Sequence, residues 1–271
     1  MFPGKVVRKL RFAHVFPGLD HKGINEHLLE KSSEKDNVAL FGLSNSQEDI
    51  DYTVSELESG LYAGLKMYYI ASNPPKYKLE EYFPEPILRT AEKEGVPIIL
   101  HLPHSLYRSD MEVITVAQRY PRLKIVLAHV GVAHVPKPEL ATTLSTFGKY
   151  PNIYADTARV HSAEIVAAAV HHLGKDRIVY GSDEPLNLLR SATYFNPDLQ
   201  APRLLTDYPY HWADLEEQAK WLHLAPRFVH SQWEQLEAIS NAADLLCLNG
   251  LARQTFRKKI FSENAKAIFN F

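Results

Sequence analysis

Two histidines, His101 and His129, each close a short apolar run, GVPIILH at residues 95–101 and PRLKIVLAHVG at 121–131. A third run, RIVYG at 177–181, continues into Ser182-Asp183-Glu184-Pro185, and a fourth, GLKMY at 64–68, holds Lys66. Imidazoles and a carboxylate suit Zn²⁺ or a similar divalent ion. A bound ion lowers the pKa of water to about 7, and a neighbouring carboxylate or imidazole can take the proton. That is the chemistry of metal-assisted hydrolysis.

These residues work together only if the chain brings the ends of the runs to one place. Runs of Ile, Val and Leu introduced by Gly-Val-Pro or Pro-Arg-Leu read as strands buried on both faces, as in a parallel sheet. Further strands are expected at Lys9–Phe16, Val38–Leu43, Gly64–Ala71 and Asn152–Asp156. Strand ends then fall near residues 16, 43, 69, 101, 129, 155 and 181, at steps of 26 to 32 residues. Helical spacing fills the intervals, over Ile24–Lys35, Ser46–Ser59, Leu79–Glu94, Pro138–Phe147 and Ser162–Leu173. Repeated βα units at a steady spacing predict an α/β fold with a parallel sheet, and favour a TIM-type (β/α) barrel over a doubly wound sheet. In such folds ligands gather at the carboxyl ends of the strands. Seven strands are read, one fewer than a full barrel.

The chain has 271 residues, 45% of them hydrophobic and 23% charged, enough for one full core. It is expected to form a single domain over 1–271, with βα repeats over 9–185. Residues 186–271 differ: Ala201–His211, rich in Pro and Tyr, reads as a loop or lid, and helices are expected at Ser231–Leu248 and Gln254–Phe269. A formal charge of −2 gives no reason to expect nucleic acid or an anionic membrane as partner. The single cysteine, Cys247, excludes an intramolecular disulfide and fits a reducing cytoplasm. Neither a transmembrane run nor a signal-peptide core is read.

GLKMY, GVPIILH, PRLKIVLAHVG, NIYADTA, DRIVYGSDEP and the closing SENAKAIFNF, in that order, resemble the landmarks of the amidohydrolase superfamily, nearest its amidohydrolase 2 group. The resemblance spans about residues 9–190 and returns in the last 20; the ordered set carries it, not any one motif. It implies a distorted (β/α)₈ barrel with His101 as the fifth-strand metal ligand. His129 would be the sixth-strand histidine, a ligand or a group that polarises substrate. Asp183 would be the eighth-strand aspartate, a ligand and proton acceptor. Such proteins open on a strand with an H-x-H pair, which is not found here: only eight residues precede Lys9, and none is histidine. His14, in Ala13-His14-Val15-Phe16, is the substitute ligand to be weighed, and loss of two ligands of about four would weaken metal binding severely.

The leading expectation is a metal-dependent hydrolase of a small ester, lactone or amide, with zinc or manganese held by His101, His129, Asp183 and His14. Asp183 and His129 would be catalytic, and Lys66 and His104 would bind substrate. The alternatives are a non-oxidative decarboxylase of the same group, or a metal-free barrel that binds a ligand without turning it over. A cytoplasmic homo-oligomer is expected. Each residue also has a structural reading: a satisfied core histidine for His101 and His129, a turn or helix cap for Asp183, an ion-pair partner for Lys66. His104, His134 and Glu184 follow strand ends, where they can meet either ligand or solvent, and His171-His172 lie on a solvated helix face.

Overall fold

The fold is that of a computed structural model, which describes residues 7–13, 19–32, 36–40, 47–68, 78–134, 136–197, 201–208 and 214–270. Among the described residues, seven strands form one sheet in sequence order: β1 (Lys9–Phe12), β2 (Asp36–Leu40), β3 (Gly64–Tyr68), β4 (Ile98–His101), β5 (Ile125–Leu127), β6 (Ile153–Asp156) and β7 (Ile178–Val179). Every neighbouring pair is parallel. The α/β class and the repeat order follow the sequence pattern; pairing of β7 with β1, which would close the sheet, is not among the described pairings.

Strand register decides which residues share a face. Leu65, Ile98, Ile125 and Ile153 pair across β3 to β6, and Leu100, Leu127, Ala155 and Ile178 pair across β4 to β7. All eight belong to the large apolar cluster that the surrounding helices cover. Because side chains alternate along a strand, the residues between them take the other face. That face carries Ile99, Val126, Tyr154 and Val179, packed with Ile268 and Phe269 into a smaller cluster. By the same register Lys66, paired with Ile99, and His101, paired with Tyr68, stand on the smaller face.

The chain end fills one end of this face. A Cβ on Gly64, the first residue of β3, would lie 3.2 Å from the Phe269 ring. Lys124, just before β5, donates to the carbonyls of Ala267 and Ile268 at 3.1 and 3.0 Å. The landmark SENAKAIFNF therefore seals the amino ends of the strands and leaves the carboxyl ends for chemistry. Helix caps are local and conventional. Asp20 accepts from the Gly23 N–H ahead of His21–Glu30, Ser162 from Ile165 N–H ahead of Ala163–Leu173, and Gly95 ends Glu85–Glu94 at φ 70°.

Three expectations are corrected. The helix expected over Leu79–Glu94 is two, Leu79–Tyr82 and Glu85–Glu94, because Pro84 removes an N–H and caps the second. The expected loop at Ala201–His211 is largely a strand, β9 (Ala201–Thr206), antiparallel to β8 (Arg190–Asn196), which also pairs with β10 (Val229–His230). Pro202 is tolerated because β9 lies at the edge of that sheet. The last helix begins at Gly250 rather than Gln254 and runs to Phe269 through a π-helical turn at Lys259–Glu263. Among the described residues, no helix is long and apolar enough to cross a membrane.

Candidate active site

His101 ends β4, and His129 follows β5 by two residues; their ring centroids are 5.2 Å apart, edge to face. Nδ1 of His101 lies 3.0 Å from the Leu102 carbonyl, and Nδ1 of His129 lies 2.7 Å from the Ala158 carbonyl. A carbonyl only accepts, so each ring carries a proton on Nδ1. Burial, then the nearby His129 and Lys66, hold His101 well below the ordinary histidine range, so this imidazole is neutral.

The backbone at His129 is unusual. His129, Val130, Gly131 and Val132 all have positive φ, 56°, 49°, 69° and 59°. They make one left-handed turn, with the N–H groups of Gly131 and Val132 both on the Ala128 carbonyl and that of Ala133 on the His129 carbonyl. Left-handed backbone costs L-residues about 1–2 kcal/mol each, and two of the four are β-branched. Asp156, the last residue of β6, offsets this: its Oδ1 accepts the His129 N–H at 2.9 Å and the Ala158 N–H at 3.0 Å. Strain held in place by a buried carboxylate is the mark of a positioned residue.

Lys66 is 3% exposed, and its ammonium lies 5.1 Å from the Phe12 ring centroid. Burial lowers its pKa, while the charges of Asp156 and then Asp183 raise it. Lys66, Asp156 and Asp183 therefore share one electrostatic neighbourhood, and the Lys66 charge, which also acts on His101, brings in the fourth member. Asp183 is half-buried at φ 56°. Its carbonyl, not its side chain, takes the N–H groups of Leu186 and Asn187. Gly181 lets β7 approach β6: a Cβ there would lie 3.1 Å from Ala158 Cβ and 3.3 Å from Asp156 Cγ.

Of the residues singled out from sequence, His101, His129, Lys66 and Asp183 come together at the carboxyl ends. His134, seven residues beyond β5, joins them, with its ring centroid 6.2 Å from that of His129. His104 is half-buried in the loop after β4, its carbonyl accepting from Ser109 Oγ. Glu184 is exposed, and His14 lies outside the described residues. Asp156, Arg159 and His161 were not singled out as site residues. The signal for Asp156 was available: a carboxylate closing the apolar run NIYAD, where a polar side chain is costly unless it is used.

The donor set can be tested against a divalent metal. His101 and His129 have the tautomer that metal ligands take, with Nδ1 engaged elsewhere. Among the described residues, however, no three His, Cys, Asp or Glu side chains group closely enough to hold an ion. The described donors therefore do not by themselves make a metal site.

A parallel sheet that collects paired imidazoles, a buried lysine and aspartates at its carboxyl ends is the arrangement of an α/β enzyme. The chain belongs to the amidohydrolase family (Amidohydro_2), whose family model matches residues 11–271, and so to a family of enzymes. Solved structures share the fold at low identity. The IDCase of Metarhizium anisopliae in apo form is 17% identical at a TM-score of 0.57, over 92% of this chain and 69% of that one. A 5-carboxyvanillate decarboxylase mutant from Novosphingobium aromaticivorans, with bound manganese and a nitrobenzoic acid, is 15% identical at 0.54, over 93% and 70%. A putative 2-pyrone-4,6-dicarboxylic acid hydrolase from Pseudomonas putida is 15% identical at 0.53, over 91% and 77%. A search of curated proteins finds no significant match.

Proposed function

We propose that this amidohydrolase cleaves an ester, lactone or amide bond of a small molecule with water, at the strand ends that carry His101, His129 and Asp183. The observation behind this reading is the pair of imidazoles with Nδ1 tied to backbone carbonyls, beside a buried ammonium. Asp183 takes the proton of the attacking water. The Lys66 ammonium faces the negative charge that grows on the carbonyl oxygen, in a place where burial strengthens it, and His129 donates to the same oxygen when its Nε2 also carries a proton. Lys66 and His104 are the residues assigned to substrate. The seven strands are, on this reading, the wall of a TIM-type barrel in a homo-oligomeric, cytoplasmic enzyme.

The manganese bound by the Novosphingobium relative makes a divalent ion, zinc or manganese, the family's expected cofactor. Here it would need a donor beyond His101, His129 and Asp183, with His14 the candidate.

Decarboxylation is the second reading. It is favoured by Lys66, a buried cation suited to a carboxylate, and by relatives described as decarboxylases. The experiment is to offer purified protein, with and without added Zn²⁺ or Mn²⁺, a panel of lactones, esters and amides and a panel of aromatic acids. Hydrolysis that is lost in Asp183→Asn and His129→Ala supports the first reading; release of CO₂ supports the second. No turnover of either panel would leave a binding protein.

A further inference from the structure

The helix Ser231–Leu245 opens on Ser-Gln-Trp-Glu-Gln, and the face that buries Ala238, Ile239, Ala242 and Ala243 further along buries polar residues in this first turn. Trp233 is 57% exposed, while Ser231 is 1% exposed and Gln235 is fully buried. Burying this polar turn needs a reason.

Part of the reason is anchoring. Gln235 Nε2 donates to the carbonyls of Thr157 and Gly181, both at 2.8 Å, which fixes the helix over the carboxyl ends of β6 and β7. Ser231 N–H donates to the Leu189 carbonyl at 3.0 Å. Ser231 Oγ is left to a different task. It lies 2.8 Å from His161 Nε2, and His161 Nδ1 lies 3.4 Å from Glu234 Oε2. Ser191 Oγ donates to the same Glu234 oxygen at 3.4 Å. With Nδ1 of the neutral His161 ring turned to the Glu234 carboxylate, the form protonated on Nδ1 leaves Nε2 to accept the Ser231 hydroxyl proton.

Hydroxyl, imidazole and carboxylate thus stand in the order of a nucleophile, its general base and the group that orients the base. Burial and the nearby Arg159 charge lower His161 to about 4, so the imidazole is neutral across the physiological range. Ser231 also begins a 15-residue helix, whose amino end favours negative charge on an attacking or attacked oxygen. Two amides beside it, both amide atoms of Asn187 and Gln235 Oε1, are buried without a hydrogen-bond partner among the described residues. Asn187 lies in the turn Leu186–Leu188, which packs on this helix. Buried amide atoms in that condition are what a polar ligand would satisfy.

We propose that Ser231, His161 and Glu234 form a second, nucleophilic site that takes acyl groups from small carboxylic esters. Ser231 Oγ bonds to the ester carbonyl carbon while its proton passes to His161 Nε2. The carbon–alkoxy bond breaks, and the alcohol leaves with that proton. Water then cleaves the acyl-serine, giving one proton to His161, which returns it to Ser231 Oγ. The near-complete burial of Ser231 restricts the site to small acyl groups such as acetyl. The inference does not depend on the hydrolytic reading of the His101–His129 site.

The test is covalent labelling of the whole chain with methanesulfonyl fluoride, whose sulfonyl group is close to acetyl in size, read by intact mass and peptide mapping. A single adduct is expected on Ser231, with fluoride released. Labelling should fall by about 100-fold in His161→Ala and about 10-fold in Glu234→Gln, and disappear in Ser231→Ala. It should persist in Asp183→Asn, which separates this site from the first. Should His161→Ala fail to fold, His161→Gln serves, with circular dichroism as the check. Folded wild-type protein without an adduct on Ser231, or labelling indifferent to the His161 variants, would overturn the proposal.

Discussion

One carboxylate oxygen joins Asp156 to His129: Oδ1 accepts the His129 backbone N–H at 2.9 Å and the Ala158 N–H at 3.0 Å, while the Ala158 carbonyl holds the His129 ring at 2.7 Å. The loop closes on itself, so the end of β6 sets both the backbone and the ring of a residue that follows β5. Asp156→Ala leaves two buried N–H groups without this acceptor, each worth about 1–3 kcal/mol. We expect a stability loss of about 2–5 kcal/mol by urea denaturation and a loss of activity in the molecules that remain folded. Asp156→Asn keeps an oxygen at the same position and should recover most of the stability. It should recover less of the activity, since it removes one of the charges acting on Lys66.

Gly131 offers a second probe of the same turn. Its φ is 69°, and a Cβ would lie 2.9 Å from Leu106 Cβ. Gly95 has nearly the same φ, 70°, with nothing within 4 Å of an added Cβ. Gly95→Ala should therefore cost about 1 kcal/mol for the backbone alone. Gly131→Ala should cost that and a further 1–3 kcal/mol for overpacking, roughly. It should also shift the His129 ring resonances in an NMR spectrum, which Gly95→Ala should leave in place. Equal losses in the two variants would mean that the left-handed turn is not held by its packing.

The repeat and the polar residues at its strand ends were legible for one physical reason. Strands buried on both faces must be apolar throughout, so a polar residue at their ends, such as His101, His129 or Asp183, stands out. Asp156 ends such a run as well, but it serves the backbone of another strand, and that partnership is set by register, 27 residues away. The Ser231–His161–Glu234 set was illegible for the same reason: a 70-residue gap separates His161 from Ser231. The Ala201–His211 stretch misled because Pro weakens a strand pattern, yet an edge strand tolerates Pro. Asn249 and Gly250 look like a break, and here they open the last helix.

The histidines predict a pH dependence of stability. In the unfolded chain His161 titrates near the ordinary histidine value of about 6.5, but in the folded protein near about 4. Between those values the unfolded state binds a proton that the folded state refuses, so stability falls as pH falls from about 6.5 toward about 4. One such group contributes a slope of up to about 1.4 kcal/mol per pH unit, reduced by the partial exposure of the ring. His101 is shifted in the same direction and should add to the slope. His161→Gln removes one titrating group, and denaturation midpoints measured from pH 7 down to 4.5 should fall less steeply than in wild type. Parallel curves would refute the depressed value.

Arg177 provides the contrast between the two ends of the strands. It stands immediately before β7, and its guanidinium donates to the carbonyls of Leu173, Tyr150, Ile153 and Gly148. One planar group thus ties the ends of two helices, at Gly148 and Leu173, to the start of β6, at the amino ends and away from His101 and Asp183. Lysine has the charge but not the fork, and it cannot reach four carbonyls in different directions. Arg177→Lys should lower stability by about 2–4 kcal/mol, the value of one or two charged hydrogen bonds. Because the reacting groups stand at the opposite ends, kcat and KM should stay within about twofold of wild type well below the melting temperature. A variant that melts early yet turns over normally would confirm this division of labour, whereas a selective drop in kcat would tie the amino ends to the site.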